Sequence, residues 1–250
     1  MSAIAVQMWT VRKKAEADFA ATLRELKSIG FEAVEAVNGM AGLSAKEMRL
    51  QLDDAGLSLC SVHGRLPDGD GPDEIERLCS EVAELGAPAL VVSSLRDEYF
   101  GDDEGVGRGA ARMNAAVGAA ERHGLELGYH NHWWEFGSEI GGRSAYEVFV
   151  ERLDPSIALE VDTYWAQVGG VDAAGLVASL GGRVHYLHIK DGPVDRSSPQ
   201  SAVGKGRMDV PAVLSANSAV RWFIIELDDF DGEIYDAVRD SFAYLAPRVR

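Results

Sequence analysis

Residues 125–136 read Leu-Glu-Leu-Gly-Tyr-His-Asn-His-Trp-Trp-Glu-Phe, and this stretch, with the helix and strand after it, decides the fold. The run begins as an apolar strand, whose period of two puts His130 and His132 on one face with Glu135 just past the end. Ser144 with Glu147 then makes a capping box that opens a helix, and Asp154-Pro155 closes it. The next apolar run, over 157–162, is again a strand ending on a carboxylate, Asp162. Strand, helix and strand in this order are one βα unit and the start of another.

The unit recurs in both directions. Toward the N-terminus, strands are expected over 3–9, 31–37, 57–63 and 89–93. Glycines stop the helical patterns between them: Phe19, Leu23 and Leu26 run to Gly30, a Ser44/Glu47 cap opens a helix that ends at Gly56, and Ile75, Leu78, Val82 and Leu85 run to Gly86. Met113, Val117 and Ala120 end likewise at Gly124. Toward the C-terminus, strands are expected near 183–190 and 220–227, with helices near 172–180, 210–217 and 233–246. Eight βα units across 250 residues predict a single closed (β/α)8 TIM barrel as one domain over 1–250. A doubly wound open sheet would need a phosphate-binding glycine loop at its first junction, and Trp9-Thr10-Val11-Arg12 contains no glycine.

Composition narrows the partners. A formal net charge of −16 repels phosphate backbones and argues against a nucleic-acid partner. No apolar run approaches the roughly 20 residues that cross a bilayer, so no membrane partner is expected. With two cysteines, Cys60 and Cys79, and no signal-peptide pattern, the chain reads as soluble, cytoplasmic and free of disulfides. A homo-oligomer is compatible with this reading.

In such a barrel, reactive groups gather where strands end and βα loops begin. His63, His130, His132, Asp162, His188, Lys190 and Glu226 all fall at expected strand ends. Imidazole and carboxylate without thiolate suit an open, catalytic site for Mn2+, Zn2+, Fe2+, Co2+ or Mg2+. His185 has odd parity with His188 and reads as structural, whereas Lys190 shares the face of His188 and is expected to touch substrate or a carboxylate. Glu160 shares the face of Asp162 and reads as the partner of a buried ion pair. Glu35 ends the second strand, with a supporting role behind the site and a functional one equally open. His63 is a candidate contact to a sugar hydroxyl, and His130 or His132 should reach the substrate. Trp133 and Trp134 read as packing, and Trp165 as the candidate indole wall of a sugar site. The loop over 191–209 is the longest, and its Gly204 and Gly206 are candidates to cradle substrate oxygens.

The ordered set Tyr129-His-Asn-His132 with Glu135-Phe136, Leu159-Glu-Val-Asp-Thr-Tyr-Trp165, Leu187-His-Ile-Lys-Asp191, Gly204-Lys-Gly-Arg-Met-Asp209 and Ile225-Glu226 resembles the sugar phosphate isomerase/epimerase family of xylose isomerase-like TIM barrels. The resemblance covers essentially the whole chain. It implies one divalent ion, with Mn2+ expected first, beside a bound sugar, and Glu135, Asp162, His188 and Glu226 as its ligands. Many of these epimerases place a glutamate within strand five, where this chain has Gly-Tyr-His-Asn-His. Either Glu135 replaces it from beyond the strand, which is the expectation, or His130 is the ligand. The implied activity is isomerisation or epimerisation of a ketose or keto-sugar through an enediolate, with Glu135, Glu226 and His132 as candidate proton-transfer groups and His63, His130, Trp165 and Lys190 against the substrate. The alternative is a metal-dependent lyase or dehydratase acting on an inosose or 3-keto-glycoside.

Overall fold

In the computed structural model, which describes residues 3–67 and 71–249, eight parallel strands close on themselves. They are β1 (Ala3–Gln7), β2 (Ala33–Val37), β3 (Ser58–Gly64), β4 (Ala89–Val92), β5 (Glu126–His130), β6 (Ala158–Asp162), β7 (Val184–Ile189) and β8 (Trp222–Ile225). Each pairs with the next, and β1 closes on β8 with Ala3 opposite Trp222 and Val6 opposite Ile225. The expected closed (β/α)8 barrel is the observed fold, with helices between the strands.

Local chemistry sets the boundaries. Both capping boxes form, Ser44 with Glu47 and Ser144 with Glu147. Gly56 ends the helix Ala45–Ala55 at φ 66°, a left-handed conformation that costs glycine nothing. Strand β1 stops two residues before the sequence suggests, because the Gln7 side chain accepts the Trp9 amide and starts a 3-10 turn. Asp162 similarly accepts the Trp165 amide at 2.8 Å and caps a short helix, Thr163–Val168, directly off β6. That helix and the hairpin of Glu139–Ile140 with Arg143–Ser144 are additions to the expected pattern.

The core has two parts. A large apolar cluster, including Leu23, Phe31, Val34, Leu90, Tyr129, Phe149 and Leu187, lies where barrel and helices meet. Inside the barrel, Ala5, Ala33, Cys60, Ala89, Ala158, Tyr186 and Ile224 form a separate plug, the small residues leaving room for Tyr186 and Ile224 in an interior just wide enough for side chains to fill. One inward step further along each strand the chemistry changes. Ala5 gives way to Gln7, Ala33 to Glu35, Ala158 to Glu160, Tyr186 to His188 and Ile224 to Glu226, and all five polar groups are buried. The barrel thus carries an apolar plug, a polar floor of Gln7, Glu35 and Glu160 above it, and a rim to which Asp162, opposite His188, and Lys190 are added by the same period of two beside His188 and Glu226.

Candidate active site and metal-ligand set

Four strand ends bring His130, Asp162, His188 and Glu226 together, with one donor atom of each within 4.8 Å of the others. His188 Nδ1 lies 2.6 Å from Glu226 Oε2, and His130 Nε2 lies 3.7 Å from Asp162 Oδ2. Three of the four side chains expected as ligands meet here. The fourth member of this group is His130, and Glu135 lies outside it.

Glu135 fails to join them because of how the chain turns after β5. The 3-10 turn Trp134–Phe136 carries its carboxylate to Tyr129, whose hydroxyl donates to Oε1 at 2.8 Å, while the His132 amide donates to Oε2 at 3.0 Å. Tyr129 has odd parity with His130 and packs against Phe149 in the helix layer, so Glu135 is drawn behind the strand. Burial pushes its carboxyl up to about 8 despite those hydrogen bonds. Glu135 therefore organises the 131–135 turn.

Lys190 is buried in the rim with its ammonium among carboxylates: 2.8 Å from Asp162 Oδ2, 2.7 Å from Glu226 Oε2 and 2.6 Å from Asp228 Oδ2. Burial alone would depress Lys190, but Asp162, Asp228 and Glu226 outweigh it and hold the amine well above its ordinary range. Glu226 is driven well below the carboxylate range, burial being outweighed by Lys190 and His188. Asp162 differs. Burial raises it to about 6 against the pull of Lys190 and His188. A protonated carboxyl is a poor ligand, so the affinity of this group for a divalent ion should fall as pH drops through about 6. Calorimetric titration with Mn2+ from about pH 5 to pH 8 checks this, and a flat profile contradicts it.

Beneath the rim, the polar floor is joined through carboxylates. Glu160 Oε2 lies 2.5 Å from His63 Nε2, 3.0 Å from His130 Nδ1 and 3.2 Å from His188 Nε2. His63, His130, Glu160 and His188 thereby form a second group whose donor atoms lie within 4.8 Å of one another. Glu35 Oε1 lies 2.7 Å from His188 Nε2 and accepts Gln7 Nε2 at 2.7 Å, while Oε2 accepts Ser61 Oγ at 2.5 Å. Glu160, expected as the partner of a buried ion pair, is thus shared by three imidazoles. Burial would raise it, but His188 and His63 hold it well below the carboxylate range. Burial and the neighbouring His188 keep His130 neutral, down to about 3.

A cavity of about 640 Å³ opens over the rim, lined by His63, His130, His132, Glu226 and Asp228 on its floor and by Trp9, Asn38, Arg65, Ser93 and Ser94 around it. Another cavity, of about 460 Å³, lies at the strand starts beside Glu32, Arg49 and Ser58 and contains no imidazole. His132 stacks on Trp134 at 4.2 Å and 11°, and its Nδ1 has no partner among the described residues. Trp165 does not line the cavity. It lies under Lys190, 5.3 Å from the ammonium, and the indole at the cavity is that of Trp9, 44% exposed. Gly204 and Gly206 do not face substrate with their amides either, because both donate to Asp191 Oδ2 at 2.9 Å. Asp191 Oδ1 takes the Gly192 and Met208 amides, so this one carboxylate folds the long loop. His185 pairs with Glu126 at the strand starts, away from the site. Sequence reasoning missed Asp228, although it stands two residues past Glu226 just as Lys190 does past His188.

Eight parallel strands closed into a barrel, with polar side chains gathered at their C-terminal ends, define a TIM barrel with a candidate catalytic rim. The chain belongs to the xylose isomerase-like TIM barrel family, whose description matches residues 23–247. Over 233 residues it is 28% identical to the 2-epi-5-epi-valiolone 7-phosphate 2-epimerase of Actinoplanes sp., covering 85% of this chain and 84% of that one. A sugar phosphate isomerase/epimerase from Parabacteroides distasonis superposes with TM-score 0.84 at 23% identity over 100% of this chain and 96% of its own. The IolI protein, solved with a zinc atom bound, superposes with TM-score 0.75 at 14% identity over 99% and 98%. The two solved structures share the fold. No helix among the described residues is long and apolar enough to cross a membrane.

Proposed function

We propose that the protein is a divalent-metal-dependent epimerase or isomerase that moves a proton beside the carbonyl of a ketose or keto-sugar. The observation that carries this reading is the convergence of two imidazoles and two carboxylates, His130, Asp162, His188 and Glu226, of which His130 and Glu226 line a cavity of about 640 Å³. The donors fit one divalent ion: nitrogen and oxygen without sulfur suit Mn2+, with Zn2+, Co2+, Fe2+ and Mg2+ as alternatives, and buried Asp162 Oδ2 has an ion pair but no aligned hydrogen bond. Such an ion supplies Lewis-acid polarisation of the substrate carbonyl, which acidifies the neighbouring C–H and favours an enediolate.

The chain's own side chains handle the proton. Glu226 lines the cavity as an ionised carboxylate able to accept it. His132 lines the same cavity, and burial with His130 beside it keeps the ring neutral and able to accept a proton as well. Two such groups on one cavity suit epimerisation, in which one takes the substrate proton at one face and the other, having first taken a proton from solvent, returns it at the opposite face. Return to the adjacent carbon is isomerisation. Lys190 fixes Asp162 and Glu226, and Trp9 offers an indole face to the sugar. In deuterated water with Mn2+ and a panel of ketoses and cyclic keto-sugars, solvent deuterium should enter the carbon beside the carbonyl of the converted substrate. Release of water or of an aglycone would mark a lyase instead, and no exchange with any substrate would overturn the reading.

The Actinoplanes relative is named for a phosphorylated ketone, and we extend that substrate class to this chain. Arg65 is the one Lys or Arg among the described residues lining the cavity, and it makes no ion pair or hydrogen bond among them. Arg65→Ala should raise KM for a phosphorylated substrate tenfold or more, as a charge-assisted hydrogen bond of about 1.5–3 kcal/mol implies. Its unphosphorylated counterpart should be unaffected. Equal changes for both would remove the phosphate contact.

A further inference from the structure

We infer that Glu160, backed by Glu35, is the positioning residue that holds both imidazoles of the rim, His130 and His188, in the tautomers an ion requires. The inference rests on the metal-dependent reading above. Each ring has one nitrogen toward the floor and one toward the rim. His130 meets Glu160 Oε2 through Nδ1 at 3.0 Å and turns Nε2 toward Asp162. His188 meets Glu35 Oε1 at 2.7 Å and Glu160 Oε2 at 3.2 Å through Nε2, and turns Nδ1 toward Glu226. An ionised carboxylate only accepts, so the nitrogen facing it must carry the proton. A neutral imidazole has one N–H and one lone pair. For His130, whose Nε2 has no acceptor closer than Asp162 Oδ2 at 3.7 Å, fixing Nδ1–H leaves the lone pair toward the rim. His188 also faces Glu226 Oε2 through Nδ1 at 2.6 Å, so there an ion must displace the Nδ1 proton while Nε2–H stays on Glu35 and Glu160. The two rings need opposite tautomers, Nδ1–H for His130 and Nε2–H for His188, and the same carboxylate faces the required nitrogen of each.

The floor is built to keep these carboxylates in place. His63 Nε2 lies 2.5 Å from Glu160 Oε2, while Gln7 and Ser61 both donate to Glu35. The strand register points the same way. The β2–β3 ladder shifts between Val34 and Glu35, where Cys60 is the extra residue, and the β6–β7 ladder shifts between Leu159 and Glu160, where His185 is. These are the register shifts of the barrel, and each falls immediately at one of the two carboxylates. Shifts of this kind re-aim the side chains beyond them, and here they put Ser61 opposite Glu35 and turn His185 out toward Glu126. Outer hydrogen-bond partners of a ligating imidazole fix its tautomer and raise its basicity, and their loss typically costs about 10- to 100-fold in metal affinity.

The test uses the full chain labelled with 15N-histidine. In the metal-free protein, ring-nitrogen NMR should find the His130 proton on Nδ1 and a proton on His188 Nε2. Calorimetry with Zn2+ should then show about 10- to 100-fold weaker binding in Glu160→Ala, with the His130 proton no longer confined to Nδ1. Glu160→Gln keeps an acceptor oxygen and should fall between wild type and alanine, and it carries the test alone if the alanine variant does not fold. A wild-type His130 proton on Nε2 overturns the inference, as does unchanged Zn2+ affinity in the folded variants. A wild-type chain that binds no divalent ion would overturn the metal-dependent reading instead, and the ring-nitrogen assignment would still decide this one.

Discussion

On the proposed metal-dependent reading, Asp162→Asn should abolish divalent-ion binding and turnover while leaving the protein folded. The asparagine keeps an oxygen for the Trp165 amide that starts the helix Thr163–Val168, and Lys190 keeps Glu226 and Asp228 as partners. What goes is one of the two rim carboxylates facing the ion. Lewis-acid polarisation is worth several kcal/mol, and each 1.36 kcal/mol is tenfold, so kcat/KM should drop at least about 10²-fold. His188→Ala should lose the ion equally but at a different cost in stability. It leaves Glu35, Glu160 and Glu226 facing a gap where an imidazole met all three, and breaking a buried charge cluster of this kind costs about 3–5 kcal/mol. Elemental analysis of the purified variants together with thermal unfolding separates the two effects. Wild-type ion content in both would remove the rim set from the reading.

The fold was readable because each βα unit carries its own punctuation: Ser44 with Glu47 and Ser144 with Glu147 at helix starts, Gly30, Gly56, Gly86 and Gly124 at their stops. The rim was readable for a different reason. A period of two places Asp162, His188 and Glu226 on the inner face of their strands whatever the details of the loops. Where the chain leaves regular structure, that periodicity has nothing to say. Glu135 stands five residues past His130, and only the geometry of the Trp134–Phe136 turn sends it to Tyr129. Trp165 and Trp9 exchange roles for the same reason, each lying in a short helix that begins directly off a strand. Supporting roles for Glu160 and Glu35 were readable, but register hid which side chains they meet. Their meeting with His130 and His188 spans strands far apart in sequence, and the shifts at Val34/Glu35 and Leu159/Glu160 leave no mark in the pattern of apolar residues.

Lys190→Met should weaken the metal-free protein severely and make it respond more strongly to a divalent ion than the wild type does. Methionine preserves the length of the side chain and its packing near Trp165, so the change is chiefly one of charge. With the ammonium gone, Asp162, Glu226 and Asp228 lose the cation that lies within 2.8 Å of all three, in a site where water cannot replace it. Removing one partner from such a buried cluster costs about 3–5 kcal/mol. In a chain of this size that corresponds to a fall of about 6–20 °C in Tm. An ion held by Asp162 and Glu226 restores positive charge at the same place, so Mn2+ should raise the Tm of the variant by more than it raises that of the wild type. The pH dependence has a definite sign. Lys190, held well above its ordinary range, stays charged in the wild type across neutral pH, and its contribution is lost only as pH rises through that raised value. Near neutrality the deficit of the variant therefore tracks its carboxylates: protonation relieves their repulsion, so the deficit should shrink as pH falls, and from a higher pH than the wild-type Asp162 value of about 6, because Lys190 no longer lowers that carboxyl. Turnover should be lost even with the ion bound, because Lys190 holds the rim carboxylates in position. Thermal scans with and without Mn2+ over a range of pH, alongside kinetics, check each part. A variant with wild-type Tm and no added response to Mn2+ would show that Asp162, Glu226 and Asp228 do not depend on this ammonium.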